Sequence, residues 1–276
     1  MSGEAAQSAG VNGARLLGAH DRTLLSRVED AGLNASAPPQ QRWMDGWLVR
    51  TCPGKAQRAR CINAVALGRR PVAEKLADCA ALYASLGLPM LVRITPFTQP
   101  TGLDAELAAL GHAHHDDTRV MVLPDLSATG LGADLAVPAG LEWAELPLQD
   151  YAEAVGKIRG SSPEARRAHA ERVSLSPVPY RGFALSRKGG VVAACGQIAP
   201  EGDLIGLYDV ATAPDQQRQG LGEWLCKRLL TVAITTAGAR CAYLQVGADN
   251  HGARRIYSRL GFADAYTYHY RVHAPR

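Results

Sequence analysis

One six-residue run limits the fold more tightly than anything else in this chain. Gln217-Arg218-Gln219-Gly220-Leu221-Gly222 stands between a strand-like segment, residues 204–211, and a helix-like one. The strand is broken at Pro214. Beyond the run, Leu221, Leu225, Leu229 and Val232 fall at i, i+4, i+8 and i+11, one face of a helix. A strand, a short glycine-containing turn and a helix start make a ready anion site, because backbone N–H groups converge there and the helix dipole favours negative charge. Gly220 and Gly222 leave the backbone open to a phosphate. Two other phosphate motifs are absent from the run: it has no Gly-Lys-Ser/Thr, and Leu225 stands where a dinucleotide fingerprint needs glycine.

The charge distribution points to the same half. The 276 residues carry a formal net charge of +4. Residues 1–135 hold 13 basic and 13 acidic side chains, so the excess lies in residues 136–276, with 17 and 13. No stacking aromatics interleave with basic residues there, so a small polyanion fits better than a nucleic acid. With 47% hydrophobic and 20% charged residues, the chain can bury a sizeable core. The six cysteines include no C-x-x-C pair and several lie in apolar runs, which reads as buried thiols in a reducing compartment. No stretch approaches the length of a membrane span. A cytoplasmic location without membrane contact is expected.

A Gly/Ala/Ser/Pro-rich stretch at 124–140 divides the chain near its middle. Before it, the pattern predicts strands at 47–50 and 61–67, a helix at 72–86, a strand at 88–94, a helix at 103–110 and a strand at 119–123. After it come a strand at 141–146, helices at 150–159 and 163–173, and a hairpin of strands 183–186 and 191–198. Arg187-Lys188-Gly189-Gly190 forms its turn. Strand 204–211, helix 221–232, strand 242–246, helix 253–260 and strand 265–272 complete the chain. The halves end alike: Leu110-Gly111-His112-Ala113 and Leu260-Gly261-Phe262-Ala263 each precede a strand and follow helix, strand, helix. A weak internal duplication is expected.

The run Gln217–Gly222 resembles the acyl-CoA-binding motif Gln/Arg-x-x-Gly-x-Gly/Ala of the GNAT superfamily of N-acetyltransferases. Downstream of strand Leu244-Gln245-Val246, the residues Asn250, Ala253, Tyr257 and Gly261-Phe262 resemble that family's second signature, Asn-x-x-Ala-x-x-x-Tyr-x-x-x-Gly-Phe. The two signatures occur in the family's order, with strand and helix between them, and the resemblance covers about residues 140–276. The first half lacks the glycine pair at its matching junction, Gly68-Arg69-Arg70-Pro71. Its Asp45-Gly46-Trp47-Leu48-Val49-Arg50 segment is similar to N-terminal halves of two-module members. The resemblance thus implies an α/β protein of two GNAT-like modules, each a mixed, mostly antiparallel sheet flanked by helices. The implied division is a loose tail at 1–20, a degenerate module at 21–135 that frames an acceptor cleft, and a catalytic module at 136–276.

Acetyl-CoA is the implied co-substrate, with no metal. By the resemblance, the strand before the motif splays at a bulge, and backbone from Val210 through Thr212 pairs with the pantetheine arm. The amides of Gln217, Arg218, Gln219, Gly220, Leu221 and Gly222 hold the pyrophosphate, Asn250 contacts the pantetheine, and Tyr257 protonates the departing thiolate. A thiol leaving group of pKa near 8.5 needs only a modest acid. Asp209, in Tyr208-Asp209-Val210-Ala211, faces the acceptor as base or cation anchor. The acceptor is a primary amine, of a small molecule first and of a protein second; a homodimer stays open, as do a longer acyl chain and a non-catalytic acyl-CoA sensor.

Each residue has a plainer reading. Tyr257 shares an apolar stripe with Ile256 and Leu260; Asn250 suits a helix N-cap; Asp209 suits a strand-end acid paired with an Arg. His112, His114, His115, Asp116 and Asp117 are metal-ligand types, but no helix sets them at i, i+4, and a solvated turn is expected. Tyr266, Tyr268 and Tyr270 alternate along one strand face, as an acceptor wall or as packing between halves. Arg254 and Arg255 are read as surface charges or as neighbours of the cofactor's phosphates.

Overall fold

The computed structural model describes residues 14–18, 20–54, 56–131 and 135–273; most of the expected tail and the middle of the expected linker lie outside them. Asp21 accepts the N–H groups of Thr23 and Leu24 and starts helix α1 (Arg22–Ala35), which buries Leu25, Val28, Ala31 and Ala35. Strands β1 (Gln41–Met44) and β2 (Trp47–Arg50) pair antiparallel around Asp45 and Gly46, both at positive φ, the geometry of a tight hairpin turn. A 3-10 turn (Gln57–Ala59) leads to β3 (Ile62–Ala64), shorter than the pattern predicts. Helix α2 (Val72–Ser85), β4 (Leu91–Ile94), α3 (Leu103–Ala109) and β5 (Ala113–Leu123) complete the first half.

The second half runs β6 (Leu141–Leu146), α4 (Leu148–Ile158), α5 (Pro163–Ser174), β7 (Arg181–Arg187), β8 (Val192–Glu201), β9 (Leu204–Thr212), α6 (Leu221–Ala237), β10 (Cys241–Gly247), α7 (His251–Arg259) and β11 (Ala263–Val272). The predicted elements are present in the predicted order, and α1 and β1 are additional. One expectation is corrected. His114 through Asp117 do not form a turn: β5 starts at Ala113, with Asp116 at φ 59 and a register shift against β11 marking the irregularity. The polar residues sit at the outer end of a long strand, where exposed side chains are tolerated.

All eleven strands join one mixed sheet in the order β1-β2-β3-β4-β11-β5-β10-β9-β8-β7-β6. The last strand of each half crosses into the other: β11 lies between β4 and β5, and β5 lies between β11 and β10. The pairing obeys a pseudo-twofold axis. Ala113 pairs with Val272 and Val122 with Ala263; replacing each residue by its counterpart in the other half turns the first pair into the second. Parallel pairs β3–β4 and β9–β10 stand at matching places on either side. The two modules therefore form one exchanged sheet, each completing the other. Residues 15–17 extend it, with Leu16 bridged to Tyr266.

Separate cores follow from this plan. Helix α6 packs its Leu225, Leu229 and Leu230 on β8 and β9 together with Tyr257 and Phe262. Gly196 in β8 permits that contact, since a Cβ there would lie 2.8 Å from Leu229. Helices α2 and α3 cover the first half around Trp47, Cys79 and Tyr83. Beneath α1, Tyr266, Tyr268 and Tyr270 are buried beside Tyr180, Tyr208 and Tyr243, so the alternating tyrosines pack between the halves. Five of the six cysteines are buried. Among the described residues, no helix is long and apolar enough to cross a membrane.

Candidate active site

The site begins where two parallel strands part. β9 and β10 pair from Leu204↔Cys241 to Leu207↔Leu244 and no further, although β9 continues to Thr212 and β10 to Gly247. A bulge separates them. On the other edge of β9, Cys195 pairs with Ala211 and Gln197 with Tyr208, so Asp209 and Val210 both stand opposite Gly196. Asp209 takes up the extra length at φ 50, a conformation that a non-glycine residue holds only under constraint. Among the described residues, the β10-facing backbone of Val210, Ala211 and Thr212 is thereby left without a strand partner, an edge with which an extended amide-bearing chain can pair.

The constraint on Asp209 is visible. Tyr151 on α4 donates its hydroxyl to the Asp209 carbonyl at 2.9 Å, and Gly182 makes room for that ring, since a Cβ there would lie 2.5 Å from it. The carboxylate accepts from Arg159 Nη1 at 2.6 Å and Gln197 Nε2 at 2.7 Å, and lies 3.2 Å from His169 Nε2. Burial pushes this acid up, but His169 and Arg159 outweigh it and hold the carboxyl well below the usual range. Arg159, His169, Gln197 and Tyr151 carry no sequence signal. They come from the end of α4, from α5 and from β8, and only the fold gathers them.

Past the bulge, the motif closes a tight corner. Pro214–Gln216 form a 3-10 turn, Arg218 sits at φ 61, and Gly220 at φ 77 is the N-cap of α6 without a side-chain cap. The first N–H groups of the 17-residue α6 therefore point out of the helix start, at the corner that follows the wedge between β9 and β10. A Cβ on Gly220 would meet no protein atom within 4 Å, whereas one on Gly222 would touch Thr212 Oγ1 at 3.4 Å and Ile256 Cδ1 at 3.5 Å. Gly220 thus keeps an approach open and Gly222 lets α6 sit close to β9 and α7. Gln217 and Gln219 turn their side-chain amides back to the carbonyls of Thr212 and Asp215, at 3.5 and 3.4 Å, leaving the backbone as the exposed feature.

Helix α7 supplies the opposite wall. Asn250 caps it, accepting from Ala253 N at 3.1 Å. Two turns on, Tyr257 is buried against Phe262, with ring centroids 6.0 Å apart, and its hydroxyl has no hydrogen-bond partner among the described residues. Burial pushes the phenol up, Cys226 adds to this, and Arg159 opposes it. Tyr257 is thus within electrostatic reach of the guanidinium that holds Asp209. On the outer face of α7, His251, Arg254, Arg255, Ser258 and Arg259 line an open depression of about 530 Å³. Arg254 is tied to Asp264 at 2.6 Å and Arg259 to Glu223, in the first turn of α6, at 2.7 Å.

The histidine-rich end of β5 is a separate arrangement. His114, Asp117 and His269 bring their donor atoms within 4.8 Å of one another. However, the rings of His114 and His269 stack 4.2 Å apart at 22°, so their in-plane lone pairs run side by side, and His269 Nε2 is engaged by Asp104 at 2.9 Å.

Comparisons with known proteins bear on the family and the fold. A family model described as "Probable histone acetyltransferase Rv0428c C-terminal" matches residues 25–271, spanning both halves. An uncharacterized N-acetyltransferase, YobR, of Bacillus subtilis is 25% identical over 232 residues, covering 84% of this chain and 92% of its own. The ribosomal protein bS18-alanine N-acetyltransferase of Escherichia coli is 36% identical over 87 residues, 31% of this chain and 57% of its own. Among solved structures, a GCN5-related N-acetyltransferase from Kribbella flavida superposes with a TM-score of 0.64 over 91% of this chain and 96% of its own. At 18% identity it shows the shared fold.

Proposed function

The chain belongs to the family of the Rv0428c C-terminal probable histone acetyltransferase, a GNAT N-acetyltransferase family, and from that premise we propose that it transfers the acetyl group of acetyl-CoA to a primary amine. One observation carries the proposal: β9 and β10 part at a bulge directly beside a helix start whose backbone N–H groups are uncapped. An extended, amide-bearing arm ending in a pyrophosphate fits that combination. The backbone of Val210–Thr212 would pair with the arm and the amides from Gln217 to Gly222 would hold the phosphates. Asn250 stands at the same mouth as cap and contact, and the basic depression on α7 gives the remaining phosphate a place beside Arg255.

At the inner end of the wedge, attack by a neutral amine on the thioester carbonyl forms the C–N bond and breaks the C–S bond. The thiolate takes a proton from a nearby acid, and the proton shed by the amine nitrogen returns to that acid through solvent. Tyr257 is assigned the proton for that thiolate on its place in the second signature. Burial raises the phenol, which keeps it protonated at rest but makes it the weaker acid, so the proton moves only in concert with C–S cleavage. Asp209 is assigned as an anchor in preference to a base, since a carboxylate held so far below its usual range takes up a proton poorly. It fixes Arg159 and His169 at the rim where the acceptor arrives. The acceptor class includes small amines and, by analogy with the ribosomal-protein-alanine enzyme, an alanine amine on a protein.

Calorimetry with acetyl-CoA, followed by thiol release over a panel of small amines and an Ala-starting peptide, tests the reading. Binding with acceptor-dependent thiol release is expected. Binding without release from any amine would favour a sensor, and no binding would overturn the proposal. Gly220→Ala places a side chain at φ 77, costing roughly 1–2 kcal/mol, and blocks the open approach. Its Kd for acetyl-CoA is expected to rise about tenfold, which corresponds to about 1.4 kcal/mol. An unchanged Kd would remove the motif from the binding site.

A further inference from the structure

Transfer to an amine requires its nitrogen to shed a proton, and the cluster at the bulge narrows what can take it first. Around Asp209 on β9 meet Tyr151 and Arg159 from α4, His169 from α5 and Gln197 from β8. Burial works against the charge on Arg159, but Asp209 outweighs it and holds the guanidinium charged. Burial also keeps the phenol of Tyr151 protonated, well above its ordinary range. Gln197 has no proton to exchange. The two oxygens of Asp209 are already met by Arg159, Gln197 and His169, and its depressed pKa makes it a poor base. A histidine is the one side chain among these types that takes up and releases a proton near neutral pH.

The setting of His169 suits that task. It lies edge-on to the ring of Tyr151, centroids 6.5 Å apart, the ring whose hydroxyl holds the Asp209 carbonyl. Its Nε2 is buried 3.2 Å from Asp209 Oδ2, within ion-pair distance but out of line for a full hydrogen bond. Its Nδ1 is accessible and has no hydrogen-bond partner among the described residues, and 16% of the side chain is exposed. A carboxylate beside Nε2 favours the tautomer that carries its proton there, which leaves the lone pair on the open Nδ1. An imidazolium formed at that position stands against a negative charge. Opposing it are Arg159 from α4 and, one turn away in either direction along α5, Arg166 and Arg172; Arg166 is itself paired with Glu153 at 3.0 Å. Arg159 also acts on Tyr257, so one guanidinium links the imidazole's cluster to the phenol.

We propose that His169 is the base of the reaction. Its Nδ1 takes the proton shed by the amine nitrogen, directly or through one water, as the C–N bond forms, and passes it to solvent. The C–S bond breaks as Tyr257 gives its proton to the sulfur, and the phenolate regains one from solvent. Each turnover thus leaves both side chains as they began. The assignment rests on the acetyltransferase reading and adds to it the group that receives the amine's proton.

The test compares wild type with His169→Gln and His169→Gly, by acetyl-CoA calorimetry and by thiol release with an amine from the panel. Glutamine keeps a polar side chain beside Asp209 but cannot take the proton. In His169→Gln, kcat is expected to fall about 10²-fold, with KM for the amine and Kd for acetyl-CoA nearly unchanged. Free imidazole is expected to raise kcat of His169→Gly about tenfold. Wild-type kcat is expected to rise with pH as the imidazole loses its proton, and His169→Gln to lack that rise. Unchanged kcat in His169→Gln overturns the proposal. So does a loss confined to KM, which would make His169 an acceptor contact. A kcat loss that is equal at every pH and untouched by imidazole overturns it too, leaving His169 as a prop for Asp209. Nitrogen NMR of the ring reads the site without turnover: the Nε2–H tautomer, with the second proton bound reversibly at Nδ1, is expected, and a neutral ring protonated on Nδ1 overturns the base alone. A wild-type chain that binds acetyl-CoA and releases thiol with no amine would instead defeat the acetyltransferase reading, and the base with it.

Discussion

Tyr257→Phe is expected to lower kcat for acetyl transfer by roughly 10²–10⁴-fold, the range for loss of a positioned proton donor, with little change in acetyl-CoA affinity. The substitution removes one oxygen from a ring whose packing is otherwise kept against Phe262 and the α6 face. That hydroxyl has no hydrogen-bond partner to lose among the described residues, so the fold gives up almost nothing. The sign of the pKa shift matters. Burial raises the phenol, so it stays protonated across the working range but is a weaker acid than a free tyrosine, and its proton transfer has to be coupled to departure of the thiolate. Wild type and variant should therefore bind acetyl-CoA alike in calorimetry and differ in single-turnover thiol release. Equal turnover would return Tyr257 to the plainer reading of a core residue on the stripe with Ile256 and Leu260.

That choice could be posed from sequence because both signatures are local. Gln217–Gly222 lies within one strand-to-helix corner and Asn250 through Phe262 within one helix and its exit, so spacing alone sets their geometry. The hairpin at Arg187–Gly190 and the helical stripe on α6 were legible for the same reason. What spacing could not reach was long-range. The exchange of β5 and β11 depends on pairing between strands that close the two halves, and the matching Leu-Gly-x-Ala endings showed the duplication without showing the crossing. Helix α1 escaped because its buried face includes Glu29, which makes sense only once Arg93 and Tyr266 are known to wait beneath it. Arg159 and His169 are polar residues at a helix end and in a polar helix; the bulge at Asp209 is what turns them into a site.

Glu29→Gln is expected to cost about 3–5 kcal/mol, the penalty for removing one partner of a buried ion pair. That corresponds to a Tm lower by about 10 °C for a chain of this size. Glu29 and Arg93 are both nearly inaccessible, and Tyr266 donates to the same carboxylate at 2.7 Å, so the pair ties α1, β4 and β11 together where the halves exchange strands. The amide keeps the shape and loses the charge, leaving Arg93 beside Arg50 and Arg58 with no counter-charge. Burial by itself would raise the Glu29 pKa, yet Arg93 and Tyr266 outweigh it and the folded value lies below the ordinary one. The sign follows: the stabilisation is complete above the ordinary glutamate pKa and is lost as pH falls through the lower folded value. The Tm gap between wild type and Glu29→Gln should accordingly be widest near neutral pH and close in acid. If the loss comes from the stranded guanidinium and not from lost packing, combining Glu29→Leu with Arg93→Met should recover most of it. A double variant as unstable as Glu29→Gln would show that the carboxylate holds the seam by shape and not by charge.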